Sequence, residues 1–150
     1  MRLELTRRGD YAVRAMLALA AEGEGIRLSS RRIAERMDIP PRFLPQVMHD
    51  LAEAGLVVAH EGRAGGYRLS RPAEAMSLLD VVSAVERNGR LRSCVLRGGP
   101  CAADGTCAVH DVFISAWETI TERLASATLA GLAARIRWAD SQRPGPMASE

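Results

Sequence analysis

The sequence predicts a mainly α-helical fold with a single small β hairpin. Three observations point there. Six segments repeat apolar residues at helical spacing: 6–21, 31–37, 41–54, 78–86, 109–127 and 128–138. Only one pair of β-prone runs, 56–59 and 67–69, is joined by a glycine-rich loop. Hydrophobic residues make up 47% of the chain and aromatic residues only 4%, so the core is aliphatic, rich in Ala and Leu.

Taken in order, Thr6 is a good N-cap for the first helix. Tyr11, Val13, Ala15, Met16, Leu17, Leu19 and Ala20 form its broad apolar face, and Glu22-Gly-Glu-Gly25 stops it. Residues 26–28 read as a short strand. Ser29 and Ser30 offer an N-cap to the helix over 31–37, which buries Ile33, Ala34 and Met37. Asp38-Ile39-Pro40 is a turn signal, and Pro41 suits the first position of the next helix, 41–54. Leu44, Val47, Met48 and Leu51 line that helix; Pro45 falls in its first turn, where a missing N–H is tolerated, and Gly55 closes it. The hairpin follows, with three glycines in its loop, and Arg71-Pro72 ends it. Ser77 caps the helix over 78–86, where Leu79, Val82 and Val85 are apolar. Residues 87–107 lose all periodicity and hold Gly89, Gly98, Gly99, Pro100, Gly105 and the three cysteines; so long a loop in a small protein reads as functional. Phe113, Trp117, Ile120 and Leu124 stripe the helix over 109–127. A break at Thr128 precedes the last helix, and the tail 139–150, with Pro144, Gly145 and Pro146, is predicted to be disordered. There is no internal repeat.

With 150 residues, the chain makes one compact domain or a small domain with an appendage. Its formal net charge is only +2, unevenly spread: residues 1–72 carry twelve Arg against nine acids, residues 73–150 eight Arg against nine. All twenty basic residues are Arg, whose planar fork suits phosphate and guanine. The start carries no secretory pattern, and the most apolar stretch, 12–21, is interrupted by Arg14 and too short to span a bilayer. The expected location is the cytoplasm, where an odd count of three cysteines argues against a disulfide framework.

Two helices joined by a tight turn and followed by a hairpin describe a winged helix-turn-helix, whose second helix enters the DNA major groove. Arg42, Phe43 and Gln46, at its N-terminal end, are the expected base readers: Arg suits guanine and Gln adenine. Ser29, Ser30, Arg31 and Arg32 lie at a helix N-terminus suited to phosphates. The loop Glu61-Gly-Arg-Ala-Gly-Gly66 is the wing tip, where Arg63 suits the minor groove and Gly65, Gly66 and Tyr67 lie beside the backbone. A helical scaffold or a protein-binding winged helix fits the same pattern, and a run of Arg is often only a solvated face.

The second constellation is Cys94, Cys101 and Cys107 in a C-x6-C-x5-C spacing, with His110 following as C-x2-H. Thiolates and imidazole suit iron–sulfur clusters and zinc, and the loop glycines allow the chain to wrap closely. The competing readings are a structural zinc site, which usually shows tighter C-x2–4-C pairs, metal-free redox thiols, and isolated structural cysteines. Cys107 and His110 as a nucleophile–base pair lack any oxyanion or substrate motif, so no enzyme is expected. His49 and His60 have no such constellation and read as surface residues.

Together these residues resemble the Rrf family of winged helix-turn-helix iron–sulfur transcription regulators. The resemblance runs to about residue 138. It rests on Met1-Arg-Leu, Gly9-Asp-Tyr-Ala-Val-Arg14, Phe43-Leu-Pro-Gln46, Leu51-Ala-Glu-Ala-Gly-Leu-Val57, Gly65-Gly-Tyr-Arg-Leu69, 81–86, the three-cysteine loop and Thr128-Leu-Ala-Gly-Leu132. It implies a homodimer on a palindromic operator, with the helix after the cysteine loop as the seam through Phe113, Trp117, Ile120 and Leu124. It also implies a cluster on the three cysteines. In IscR-like members a histidine at the position of His110 completes a 2Fe–2S site. In NsrR-like members an aspartate at the position of Asp10, contributed by the partner subunit, completes a 4Fe–4S site. His110 and 2Fe–2S are favoured. The first cysteine interval is one residue longer than in IscR-like members, and Pro45 replaces their Glu, so operator sequence does not transfer.

The expected organisation is a DNA-binding winged helix-turn-helix at 1–72, a linking helix and cysteine loop at 73–110, dimerisation helices at 111–138 and a tail at 139–150. The expected function is a transcription repressor whose operator affinity is controlled by the cluster, sensing iron–sulfur status, nitric oxide or redox stress. The alternative is a zinc-stabilised winged-helix regulator.

Overall fold

A computed structural model describes residues 4–86, Leu96 and residues 107–136. The cysteine loop, apart from Leu96 and Cys107, and the predicted disordered tail therefore lie outside the described residues.

Helix α1 (Arg7–Glu22) starts where the Thr6 side chain accepts from the Gly9 N–H at 3.1 Å, and Gly23, at φ 98°, ends it. It is the central helix, burying Ala12, Ala15, Met16, Ala18 and Leu19. Tyr11, Val13, Leu17 and Ala20, expected on the inner face, are only partly buried around its flanks. Helix α2 (Ser30–Met37) is capped by Ser29 and buries Ile33 and Ala34, while Met37 packs at the edge. Asp38 takes a left-handed conformation at φ 52°, which Asp is one of the few non-glycine residues to tolerate, and turns the chain toward α3.

Helix α3 (Leu44–Glu53) starts three residues later than the sequence suggested. Residues 41–43 are a turn, closed by Phe43 N–H to Pro40 O at 3.0 Å. Pro45 explains the shift. In a helix beginning at Pro41 its ring would press on the Pro41 carbonyl, which would also lose its N–H partner. Beginning at Leu44 places Pro45 second, where no N–H is required. Leu44, Val47, Met48 and Leu51 are all buried, as expected.

Strands β1 (Val57–His60) and β2 (Gly66–Leu69) pair antiparallel, with Val57 opposite Leu69 and His60 opposite Gly66. Alternation turns Val57 and Leu69 to the core and puts Val58, His60 and Arg68 on the other face. The predicted strand at 26–28 is reduced to one bridge: Leu28 and Tyr67 exchange N–H···O bonds at 2.9 and 2.8 Å. Its neighbours Ile26 and Arg27 are exposed and have no ladder to join.

A short 3-10 turn (Ala73–Ala75) leads to helix α4 (Leu78–Val85). Ser77 and Asp80 form a reciprocal capping box, with bonds of 2.8 and 3.1 Å. Val81 and Val85 enter the core; Leu79 and Val82 are half-buried. Helix α5 (His110–Ser126) packs on α4 yet buries none of its own residues. Helix α6 (Leu129–Ala133), capped by Thr128, returns to α1 and plants Leu129 in the core. It is shorter than expected, because Arg135 and Ile136 bond back to Leu132 and Ala133 in tight i→i−3 turns. The α5–α6 junction is stitched to the start of α4 by Leu78 N–H to Ala127 O at 2.8 Å and Leu129 N–H to Met76 O at 2.9 Å. Among the described residues no helix is long and apolar enough to cross a membrane.

Candidate functional site

The turn before α3 and the first turn of α3 bring the expected base readers together. Arg42 and Gln46 are exposed. Phe43 is half-buried instead: its ring lies 5.6 Å from that of Tyr11 on α1, and the Arg42 guanidinium stacks 4.7 Å above it. Phe43 is thus a platform that anchors α3 to α1 and holds Arg42 by a cation–π contact. Gln46 donates through Nε2 to Asp50 Oδ1 at 3.1 Å. The other carboxylate oxygen of Asp50 accepts from Arg8 of α1 in an ion pair. Burial pulls the Asp50 pKa up, but the bonds from Arg8 and Gln46, with the charges of Arg8 and His49, outweigh it. The carboxyl stays below its usual range.

Ser29, Ser30, Arg31 and Arg32 are all exposed at the start of α2. The Ser29 hydroxyl is already engaged as the cap, accepting from Arg32 N–H at 3.3 Å. Arg31 is paired with Glu35 at 2.7 Å, and that bond and charge raise its pKa. Arg32 keeps an exposed guanidinium with no ion pair among the described residues. The wing lies directly beside this helix start. A Cβ on Gly66, at φ 145°, would stand 2.5 Å from Leu28 O and 3.1 Å from Ser29 N. Only glycine fits there. At the tip, Gly62 (φ 92°) accepts through its carbonyl from Gly65 N–H at 3.0 Å, leaving Arg63 exposed.

No motif in the sequence marks His60. The hairpin register sets it beside Arg68, whose Nε donates to His60 Nε2 at 3.2 Å. Burial, then the charges of Arg27 and Arg68, hold its pKa below the ordinary imidazole value. His60 and Arg68 thus share the wing's outer face, within reach of the charge of Arg27. Only the four-residue spacing from Gln46 signals Asp50 in the sequence, and nothing local signals Arg8.

Of the cysteine constellation, Cys107 and His110 are described, while Cys94 and Cys101 are not. His110 N–H donates to Cys107 O at 3.1 Å, so both lie in the turn that opens α5, each half-buried. Among the described residues no group of three or more His, Cys, Asp or Glu is assembled. Asp10 sits in the first turn of α1 with both carboxylate oxygens held by Arg14, each at 2.9 Å. On α5, Phe113 is 37% exposed, and the side chains of Trp117, Ile120 and Leu124 are half-buried. Val112 (69%) and Ile114 (39%) widen this apolar stripe beyond the four residues expected.

The arrangement of α1 to α3, wing, α4 and a projecting α5 has clear counterparts. The chain matches the Rrf2 family, described as an iron-dependent transcriptional regulator, over residues 5–135. The chain belongs to the Rrf2 family. It is 34% identical over 122 residues to the HTH-type transcriptional regulator IscR of Klebsiella pneumoniae, covering 81% of this chain and 72% of that protein. The structure of CymR, the global cysteine regulator of B. subtilis, superposes with a TM-score of 0.76 at 25% identity, covering 91% of this chain and all of that one. T. potens IscR gives a TM-score of 0.72 at 26% identity, over 91% and 94% of the two chains. These Rrf2 relatives are transcription regulators and not enzymes. The winged helix is accordingly the DNA-binding module of a transcription regulator.

Proposed function

We propose that this Rrf2 chain is a homodimeric repressor whose affinity for a palindromic operator is set by an iron–sulfur cluster on Cys94, Cys101, Cys107 and His110. The observation that carries the reading is the start of α5, where one backbone bond holds Cys107 and His110 in a single turn. Thiolate and imidazole are donors suited to iron, and the turn keeps the two residues close in space. Asp10 is the weaker fourth ligand because both its oxygens are occupied by Arg14. That favours 2Fe–2S over 4Fe–4S. When bound, the cluster supplies a redox-sensitive tie between the cysteine loop and the base of α5.

A 17-residue helix with an exposed apolar stripe and no buried residue needs a covering surface, and a second α5 supplies it. Ser29, Ser30 and Arg32 then face phosphates, Arg42 and Gln46 base edges, and Arg63 the minor groove, with Gly65, Gly66 and Tyr67 setting the wing against α2. Control requires that chains with and without the cluster differ in operator affinity, since a ligand shifts an equilibrium only by its differential affinity. A second reading keeps the same cysteines as metal-free redox thiols, which thiolates in a glycine-rich loop also allow.

The test starts from duplexes selected from a random pool by the anaerobically purified protein. The wild type and Cys101→Ala are then compared on them. The expected result is a dimeric variant with altered operator affinity. A Cys101→Ala dimer with wild-type affinity and specificity contradicts cluster control.

A further inference from the structure

Within the reading of Gln46 as a base-contacting residue, we propose that Asp50 is a positioning residue. Held by Arg8 of α1, it locks the Gln46 amide so that α3 selects adenine over guanine.

A glutamine amide is ambidextrous. One end accepts and the other donates, and rotation by half a turn exchanges them. Adenine offers an acceptor (N7) and a donor (N6) in the major groove, and a glutamine showing both oxygen and nitrogen matches it; guanine offers two acceptors (N7 and O6). Which base an isolated glutamine prefers therefore depends on which end it can show.

Here the ambiguity is removed. Gln46 is exposed in the first turn of α3, and Asp50 lies one turn on along the same face. A carboxylate only accepts, so Gln46 must turn its NH2 group toward Asp50, and it does, at 3.1 Å. The Oε1 atom is left pointing away, as an acceptor. One N–H of Gln46 is spent on Asp50, leaving one N–H and the oxygen, which is the pattern complementary to adenine. Opposite guanine, Oε1 would face an acceptor.

Asp50 is itself fixed. Its second oxygen is taken by Arg8, reaching across from α1, and its side chain is 16% exposed. Carboxylate, guanidinium and amide form a chain with one donor for each acceptor used. Arg8 and Asp50 need touch no DNA to determine which base is read.

The experiment measures base preference, position by position, by selecting bound duplexes from a random pool. Wild type, Gln46→Ala, Asp50→Ala, Asp50→Asn and Arg8→Ala are compared, each first checked for a cooperative melt. The wild type is expected to prefer adenine at one position in each half-site. Gln46→Ala should lose that preference. Asp50→Ala should cut adenine-over-guanine discrimination there by about tenfold, the scale of one bidentate base contact. Other positions should not change, whereas a purely structural role would weaken binding to all sequences alike. Asp50→Asn is isosteric and offers an amide that can oppose Gln46 with either end, so it should also relax the position if Asp50→Ala fails to fold. Arg8→Ala should have a smaller effect in the same place. If Gln46→Ala erases a preference that both Asp50 variants keep, the positioning role is overturned. If Gln46→Ala changes no position, the base-reading role fails first and this proposal falls with it.

Discussion

Thr6 donates its backbone N–H to the Glu86 carboxylate at 2.7 Å, joining residues 80 positions apart. Glu86 ends α4, and its own N–H bonds Val82 O. Its charge sits at the N-terminus of α1, where the helix dipole favours an anion. Gly9 makes room for it: a Cβ there would lie 2.4 Å from Glu86 Oε1.

The arrangement predicts a change of sign. Alanine in place of a helical glycine ordinarily gains about 1 kcal/mol. At Gly9 it would push the Glu86 carboxylate off Thr6 and forfeit a capping interaction of about 1 kcal/mol. Gly9→Ala should thus be near neutral in the wild type but stabilising in a Glu86→Ala background. Urea denaturation of the four proteins checks this; equal effects in both backgrounds would refute the contact.

His60 should respond to pH in a stated direction. Burial first, then Arg27 and Arg68, hold its folded pKa below that of the unfolded chain, about 6.5. A depressed pKa means the unfolded state takes the proton first. The wing's stability is therefore complete above that value and is lost as pH falls through the lower, folded one. An NMR titration should place His60 below an ordinary histidine, and Arg68→Gln should move it up.

Arg63 at the wing tip should contribute a phosphate or minor-groove contact. Arg63→Ala is expected to lower duplex affinity and reduce the slope of log affinity against log salt by about 1. Titrations at several salt concentrations provide the measurement. An unchanged slope would remove the wing tip from the interface.

The α5 stripe should hold the dimer. Trp117→Glu is expected to sediment as a monomer and to bind a palindromic duplex about a hundredfold more weakly, having lost two-site binding. Analytical ultracentrifugation decides the first point.

Much of the fold was legible because its signals are local. Thr6, Ser29, Ser77 and Thr128 each stand one residue before a helix and each caps it. The two-residue alternation of Val57, Leu69 and their neighbours gave the hairpin. The start of α3 is not legible locally, because two rules about proline compete over Pro41 and Pro45 and the clash at the second decides. What the sequence hid is long-range. Arg8–Asp50 and Thr6–Glu86 span 42 and 80 residues, and no periodicity announces either. His60 looked isolated until the register set Arg68 beside it. Cys107 and His110 were legible as a pair from their C-x2-H spacing alone.

The most direct test of the central claim is the iron, sulfide and zinc content of the anaerobically purified chain, recorded with its visible spectrum. About two irons and two sulfides per chain are expected, with absorption lost in Cys→Ala variants and in His110→Ala. Stoichiometric zinc without sulfide, or thiols with no metal at all, would contradict it.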